Sequence, residues 1–177
     1  MTYQEGLDQI DRATQRLTEA NQMVVDAIIN AFLFTWQWWV AFLMLVVPWV
    51  IWWIFRDRES AARLFSAGLL VMVLSEILDT FGVSFGSWAY PVKVIPVATL
   101  NFSFRLSLLP VLVMFLLQVK PSYNPYIKAV FLGGLGAYVG LPMLAMMDLY
   151  KKINWAYTYS FFNSNFNVFT GSLVQSN

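Results

Sequence analysis

Glu76, Asp79, Asn101 and Arg105 are the residues of this chain whose types and spacing could do chemistry. Glu76 and Asp79 stand three apart, which puts both carboxylates on one face of a helix. Such a pair can share a proton or take a cation. Asn101 and Arg105, one turn apart on the next apolar segment, add an amide and a guanidinium. An unpaired charge at the centre of a bilayer costs roughly 2.5–3.5 kcal/mol even on lenient scales, so these residues must face protein, water or each other. A Glu76–Arg105 ion pair is the leading expectation, with Asp79 and Asn101 as auxiliary partners. Two readings stay open for the cluster. One is a site for an ion, a relayed proton or a polar lipid headgroup; the other is a buried salt bridge that sets helix register and adds little stability.

The elements that must position these four residues are membrane helices. Of the 177 residues, 59% are hydrophobic, 18% aromatic and only 12% charged, whereas soluble domains carry about 25% charged residues. Four apolar windows each reach the roughly 20 helical residues that cross a hydrocarbon core. The expected fold is all-α: a polytopic transmembrane helical bundle with four clear spans and room for a short fifth. An N-terminal amphipathic helix over residues 1–30 lies outside the membrane, and residues 31–177 form the transmembrane domain. A net charge of +1 without a basic run excludes a nucleic-acid partner. The chain has no His and no Cys, which excludes disulfides, haem ligation, thiolate chemistry and the usual zinc sites, so neither a metal nor a cofactor is expected. The acidic N-terminus lacks a short apolar core followed by a cleavage site, and the first span is expected to act as the insertion signal.

In chain order, Leu7, Ile10, Leu17 and Val24 recur in a 3-4 pattern, with Thr14 and Asn21 on the same seam. That is the stripe of a weak coiled coil whose polar seam positions select register. These four apolar residues are the candidate oligomerisation contacts; the other reading folds the helix back on its own bundle. The first span, 31–55, carries Trp36, Trp38 and Trp39 near one end and Trp49, Trp52 and Trp53 near the other. The clusters lie roughly 21 Å apart along a helix and match the two interfacial belts. Pro48 is a kink site.

The second span, 61–81, presents Glu76 and Asp79. The connection 82–97, with Trp88, Tyr90 and Lys93, is expected to fold against the headgroups beside the cluster. The third span, 98–119, carries Asn101, Arg105 and Pro110. If it runs antiparallel to the second, the four polar residues lie level. After a turn at 120–126 the fourth span runs over 127–147. There Gly133, Ala137 and Gly140 share a face, and Gly136 with Gly140 forms a small-xxx-small pair, so close helix packing is expected. The segment 161–174 is apolar but interrupted by Asn163, Ser164, Asn165, Asn167 and Thr170; a short span and a re-entrant or interfacial helix are both open. Lys and Arg are in modest excess around the first and third connections, which predicts an N-terminus outside.

An acidic residue late in one span, then Trp88-Ala89-Tyr90-Pro91, Asn101, Leu109-Pro110-Val111, Pro121, Tyr126 with Lys128, Tyr138, and Trp155 before Tyr159-Ser160 form a spaced pattern. Over about residues 61 to 165 this resembles an uncharacterised family of small multi-pass membrane proteins of spore-forming Firmicutes, of the Bacillus and Clostridium type. The chain departs from the pattern in its short polar tail, where the family has a clearer last span. The resemblance implies a bacterial cytoplasmic (inner) membrane protein of an endospore former, with a place in the spore; it brings no activity with it.

Three function classes follow. The first is a non-enzymatic membrane protein that forms a homo-oligomer, as a scaffold or as a small channel-type subunit. A second is an ion-, proton- or lipid-headgroup-binding protein using Glu76, Asp79, Asn101 and Arg105. Last comes an intramembrane enzyme, which the absence of His, Cys and a nucleophile-elbow Ser disfavours; an enzyme is not expected.

Overall fold

The computed structural model of the chain describes residues 1–97, 101–119 and 124–175. It is mostly helical. Helix α1 (Tyr3–Ala27) opens on a capping box, in which the Thr2 hydroxyl accepts from Glu5 N and the Glu5 carboxylate accepts from Thr2 N. It runs into a single π-turn, Ile28–Phe32. The chain then breaks at Phe34, where φ is 62°, and Thr35 caps the start of α2 (Trp36–Phe55) by accepting from Trp38 N. The other helices are α3 (Ala61–Ser84), α4 (a π-turn Phe104–Leu108 leading into Leu109–Gln118), α5 (Pro125–Leu135, a π-turn Gly136–Gly140, then Leu141–Met146) and α6 (Tyr157–Gln175). Two short strands, β1 (Trp88–Ala89) and β2 (Lys151–Lys152), pair antiparallel, with Trp88 opposite Lys152. They tie the α3–α4 connection to the α5–α6 connection.

Three helices are long and apolar enough to cross a membrane: Trp36–Phe55, Ala61–Ser84 and Ile127–Met146. Their apolar windows are only 11%, 28% and 22% buried within the protein, so most of that surface faces outward, as it does in a helix solvated by lipid. Among the described residues these are three of the four spans expected. The segment read as the third span is the shorter apolar helix Phe104–Gln118, which at 1.5 Å per residue covers roughly 22 Å of a core about 30 Å thick. Near its start Asn101 Oδ1 accepts from Phe104 N at 3.4 Å. At the far end Val119 turns extended, and the Lys128 ammonium donates to its carbonyl at 2.8 Å, the favoured place for a cation on a helix C-terminus. Residues 98–100 of that expected span, and 120–123 of the following turn, lie outside the described residues.

The core sits where α3, α4, α5 and α6 meet, around Leu64, Ala67, Val71, Leu109, Val113, Leu117, Ala129, Leu132 and Val168. The tail segment is therefore a bundle helix despite its polar residues, with Asn167 only 1% exposed. Gly133 shows why α5 and α6 approach so closely: a Cβ there would stand 2.7 Å from Asn165 Oδ1 and 3.1 Å from the Phe161 carbonyl. Of the six tryptophans on α2, Trp36, Trp39 and Trp53 face outward, while Trp38 and Trp52 are buried. Trp38 packs with Ala41, Val92 and Leu149, and Trp52 with Val111 and Met114.

Candidate functional site

The buried positions of α3 are Leu64, Ala67, Gly68, Val71, Ser75, Asp79 and Gly82. They recur at three and four residues, so they form one stripe along the helix. Asp79 lies on that stripe and is fully buried. Glu76 lies off it and is half-buried. This one difference decides which carboxylate meets the guanidinium of α4. Arg105 Nη2 stands 2.9 Å from Asp79 Oδ1; the expected Glu76–Arg105 pair does not form.

The connection after α3 completes the cluster. Gly82 clears the space, since a Cβ there would run into the Trp88 ring. Gly86, at φ 67°, turns the chain back, and the Ser87 and Gly86 amides bond the Gly82 and Val83 carbonyls. Trp88 and Tyr90 are thereby carried under the helix end. Trp88 Nε1 donates to Asp79 Oδ1 at 2.9 Å, and the Tyr90 hydroxyl donates to the same oxygen at 2.7 Å. Arg105 Nη2 also reaches the Tyr90 oxygen, at 3.5 Å. Burial, the largest cause, holds the Tyr90 phenol well above its ordinary pKa, so it stays a donor. Asp79 Oδ1 thus collects three donors.

Asn101, expected as an auxiliary partner of the ion pair, is buried but spends its side chain on the start of α4. Lys93 is buried near the cluster, and its ammonium donates to the Val97 carbonyl at 2.8 Å. Desolvation lowers its pKa to about 8, against a raising influence from Asp79. Three buried polar atoms here have no hydrogen-bond partner among the described residues: Asp79 Oδ2, Glu76 Oε2 and Arg105 Nε. Among the described residues no group of three or more His, Cys, Asp or Glu side chains gathers anywhere.

Beside the ion pair lies a cavity of about 410 Å³, which no reading of the sequence anticipated. Its walls are almost wholly apolar side chains of α2, α4 and α5, with Arg105, Trp88, Tyr150 and Ser160 as the polar-bearing members. Two of the three π-turns border it, through Phe104, Arg105 and Leu108 on one side and Gly136, Val139 and Gly140 on the other. Each of these two runs into a helical segment with a proline at its start, Pro110 or Pro142. A proline ring crowds the carbonyl four residues earlier and gives it no N–H, and a π-turn is one way to absorb that misfit. Gly136 and Gly140, read as a helix-packing pair, line this space. A Cβ on Gly136 would meet nothing within 4 Å, and one on Gly140 only the Leu135 carbonyl at 3.7 Å. Of that predicted packing face, Gly133 and Ala137 alone are in close packing.

The predicted oligomerisation stripe stands away from this site. Leu7, Ile10 and Leu17 are 42%, 64% and 61% exposed, and α1 buries no residue at all. Val24 is half-buried where α1 approaches Ile28. No family model matches the chain, and no curated protein or solved structure matches it.

Proposed function

We propose that this protein is a non-enzymatic integral membrane protein that assembles into homo-oligomers through α1 and serves as a scaffold. One observation carries the reading: 25 residues of capped helix include no fully buried residue, yet hold Leu7, Ile10 and Leu17 outward at heptad spacing. Copies inserted with the same topology in one bilayer present α1 in the same direction, which suits parallel pairing. In that heptad Leu7, Thr14, Asn21 and Ile28 share one seam position and Ile10, Leu17 and Val24 the other. Small residues, Gly6, Ala13, Ala20 and Ala27, flank the seam at every seventh place and permit close approach. A channel inside one protomer is disfavoured, because the Asp79–Arg105 pair is internally neutralised and the adjoining cavity is apolar. Any ion path would run between protomers. The host we propose is an endospore-forming bacterium, with the protein in its cytoplasmic membrane and α1 on the outer face. The spaced pattern around Trp88, Asn101 and Trp155 supports the host, and the distribution of Lys and Arg supports the orientation.

The test is the mass of the solubilised particle by light scattering, with detergent subtracted, for the native chain and for the full-length triple substitution Leu7→Asp, Ile10→Asp, Leu17→Asp. The expected result is a defined multiple of 20.3 kDa that collapses to the monomer in the substituted chain. A native chain that is already a monomer ends the proposal.

A further inference from the structure

We propose that Arg56, at the C-terminal end of α2, holds the phosphodiester of an anionic glycerophospholipid in the leaflet where the turn between α2 and α3 emerges. The proposal rests on the bilayer placement of α2 and α3 and is independent of self-association through α1.

The depth of the site follows from the span. Arg56 is the first residue after the 20-residue apolar helix Trp36–Phe55. That length matches a hydrocarbon core of about 30 Å, so the guanidinium stands at the level of the headgroups. One turn below, Trp53, Ile54 and Phe55 are 67%, 66% and 65% exposed and offer apolar surface to the acyl chains of the same lipid.

The protein holds this arginine in one place. A single side chain of α4 clamps its backbone from both sides: Gln118 Nε2 donates to the Phe55 carbonyl at 2.9 Å, and Gln118 Oε1 accepts from Asp57 N at 3.2 Å. The Arg56 amide itself donates to the Trp52 carbonyl at 2.8 Å. Its guanidinium lies over the Trp53 ring, 3.5 Å from the centroid, and Nη1 donates to the Trp53 carbonyl at 2.8 Å. The stack occupies one face of the guanidinium plane. Among the described residues Nη1 alone of this group has a hydrogen-bond partner, so the edge formed by Nε and Nη2 is left, the edge that matches two oxygens of a phosphate.

Charge selects the ligand. Arg56 is half-buried, and the ion pairs among the described residues are those of the Met1 amine with Glu5 and of Asp79 with Arg105. Asp57, beside it in sequence, is turned into its own loop, where the carboxylate accepts from Ser60 Oγ at 2.5 Å and from Glu59 N at 3.3 Å. Glu59 adds a second negative charge, and Arg58 and Arg63 add two positive ones. The turn is therefore positive overall and favours an anionic headgroup over a zwitterionic one. Lys128, on the same side of the bundle, spends its ammonium on the Val119 carbonyl.

The experiment takes the full chain in detergent, stripped of lipid and titrated with phosphatidylglycerol, and counts retained lipid by native mass spectrometry. The expected result is a tightly held phosphatidylglycerol on each native chain. It should be lost in Arg56→Gln and in Arg56→Lys, which keeps the charge but not the fork. It should be kept in Arg58→Gln, which removes the same charge from the same turn. Equal loss from Arg56→Gln and Arg58→Gln is a diffuse charge effect and overturns the site, as does a native chain that retains nothing. Should Arg56→Gln fail to give a monodisperse particle, Trp53→Leu takes its place; it leaves the cation, removes the stack and is expected to weaken retention several-fold. Equal retention of phosphatidylcholine overturns the anionic assignment. A rise in Tm with inorganic phosphate that matches the rise with phosphatidylglycerol assigns the site to the free anion and overturns the lipid. Failure of the native chain to insert into vesicles would strike the bilayer placement itself, a separate failure.

Discussion

The indole N–H of Trp49 donates to the carbonyl of Leu106 at 3.1 Å, the oxygen that an amide at position 110 would bond in a regular helix. Position 110 is proline and has no N–H to give. A side chain of α2 thus supplies the hydrogen bond that α4 lacks, and the tryptophan and the proline are two halves of one arrangement.

The two residues should therefore couple. Trp49→Phe is expected to cost about 1–3 kcal/mol, the penalty for a buried acceptor left unsatisfied. In a Pro110→Ala background, where an amide is available at position 110, the same change should cost less. Unfolding of the four chains in one detergent gives the cycle, and strict additivity would mean that the bond contributes nothing.

Asp79, not Glu76, should carry the stability of the polar cluster. Removing one partner of a buried pair typically costs about 3–5 kcal/mol, because the other charge is left without compensation. Asp79→Ala is expected to fall in that range, and Glu76→Gln to lie within about 0.5 kcal/mol of the native chain. The double change Asp79→Asn with Arg105→Gln should recover part of the loss of Asp79→Ala. If Glu76→Gln proves the more damaging of the two acid substitutions, the Asp79–Arg105 pairing is not the stabilising one.

Why the sequence pointed to the wrong acid is clear from α3. The helices and three apolar stretches long enough to cross a membrane were legible, because each depends on hydropathy and span length. The partner of Arg105 depends on helix rotation, which the apolar residues spread around both segments do not reveal. A signal was present in the small residues: Ala67, Gly68, Ser75 and Gly82 mark the packed stripe, and Asp79 falls on it while Glu76 does not. The tail misled for the opposite reason. Asn165 and Asn167 look like a wet segment, yet they lie in a helix packed against α3 and α5, and one sequence does not show which polar residues turn inward. The cavity left only the trace of Pro142 beside Gly136 and Gly140, which reads equally well as tight packing.

Lys93 gives the protein a pH dependence of known sign. Its pKa in the fold is lowered to about 8 from an ordinary 10.5. Between those values the unfolded chain holds the proton that the folded chain has released, so stability rises with pH across that window. Below about pH 8 the folded state bears the cost of a buried ammonium. The melting temperature of the native chain is expected to rise from pH 8 to 10.5 relative to Lys93→Met, which lacks this titration. Parallel curves for the two proteins would remove Lys93 as the source.

Gly82 and Gly136 should respond in opposite directions to the same added methyl group. At Gly82 a Cβ runs into the Trp88 ring, and that ring cannot retreat without giving up its bond to Asp79 Oδ1. Gly82→Ala is thus expected to destabilise by about 1–3 kcal/mol, as overpacking does, and to change the near-ultraviolet circular dichroism through Trp88. At Gly136 the methyl group enters open space, so the backbone term decides the sign. Alanine costs less entropy than glycine to hold in a helix, and Gly136→Ala should stabilise by roughly 0.4–1 kcal/mol. The pair is read by thermal unfolding under identical conditions. Destabilisation at Gly136 would show that the wall of the cavity already closes on that position, and the space between the two π-turns would then be smaller than the geometry gives.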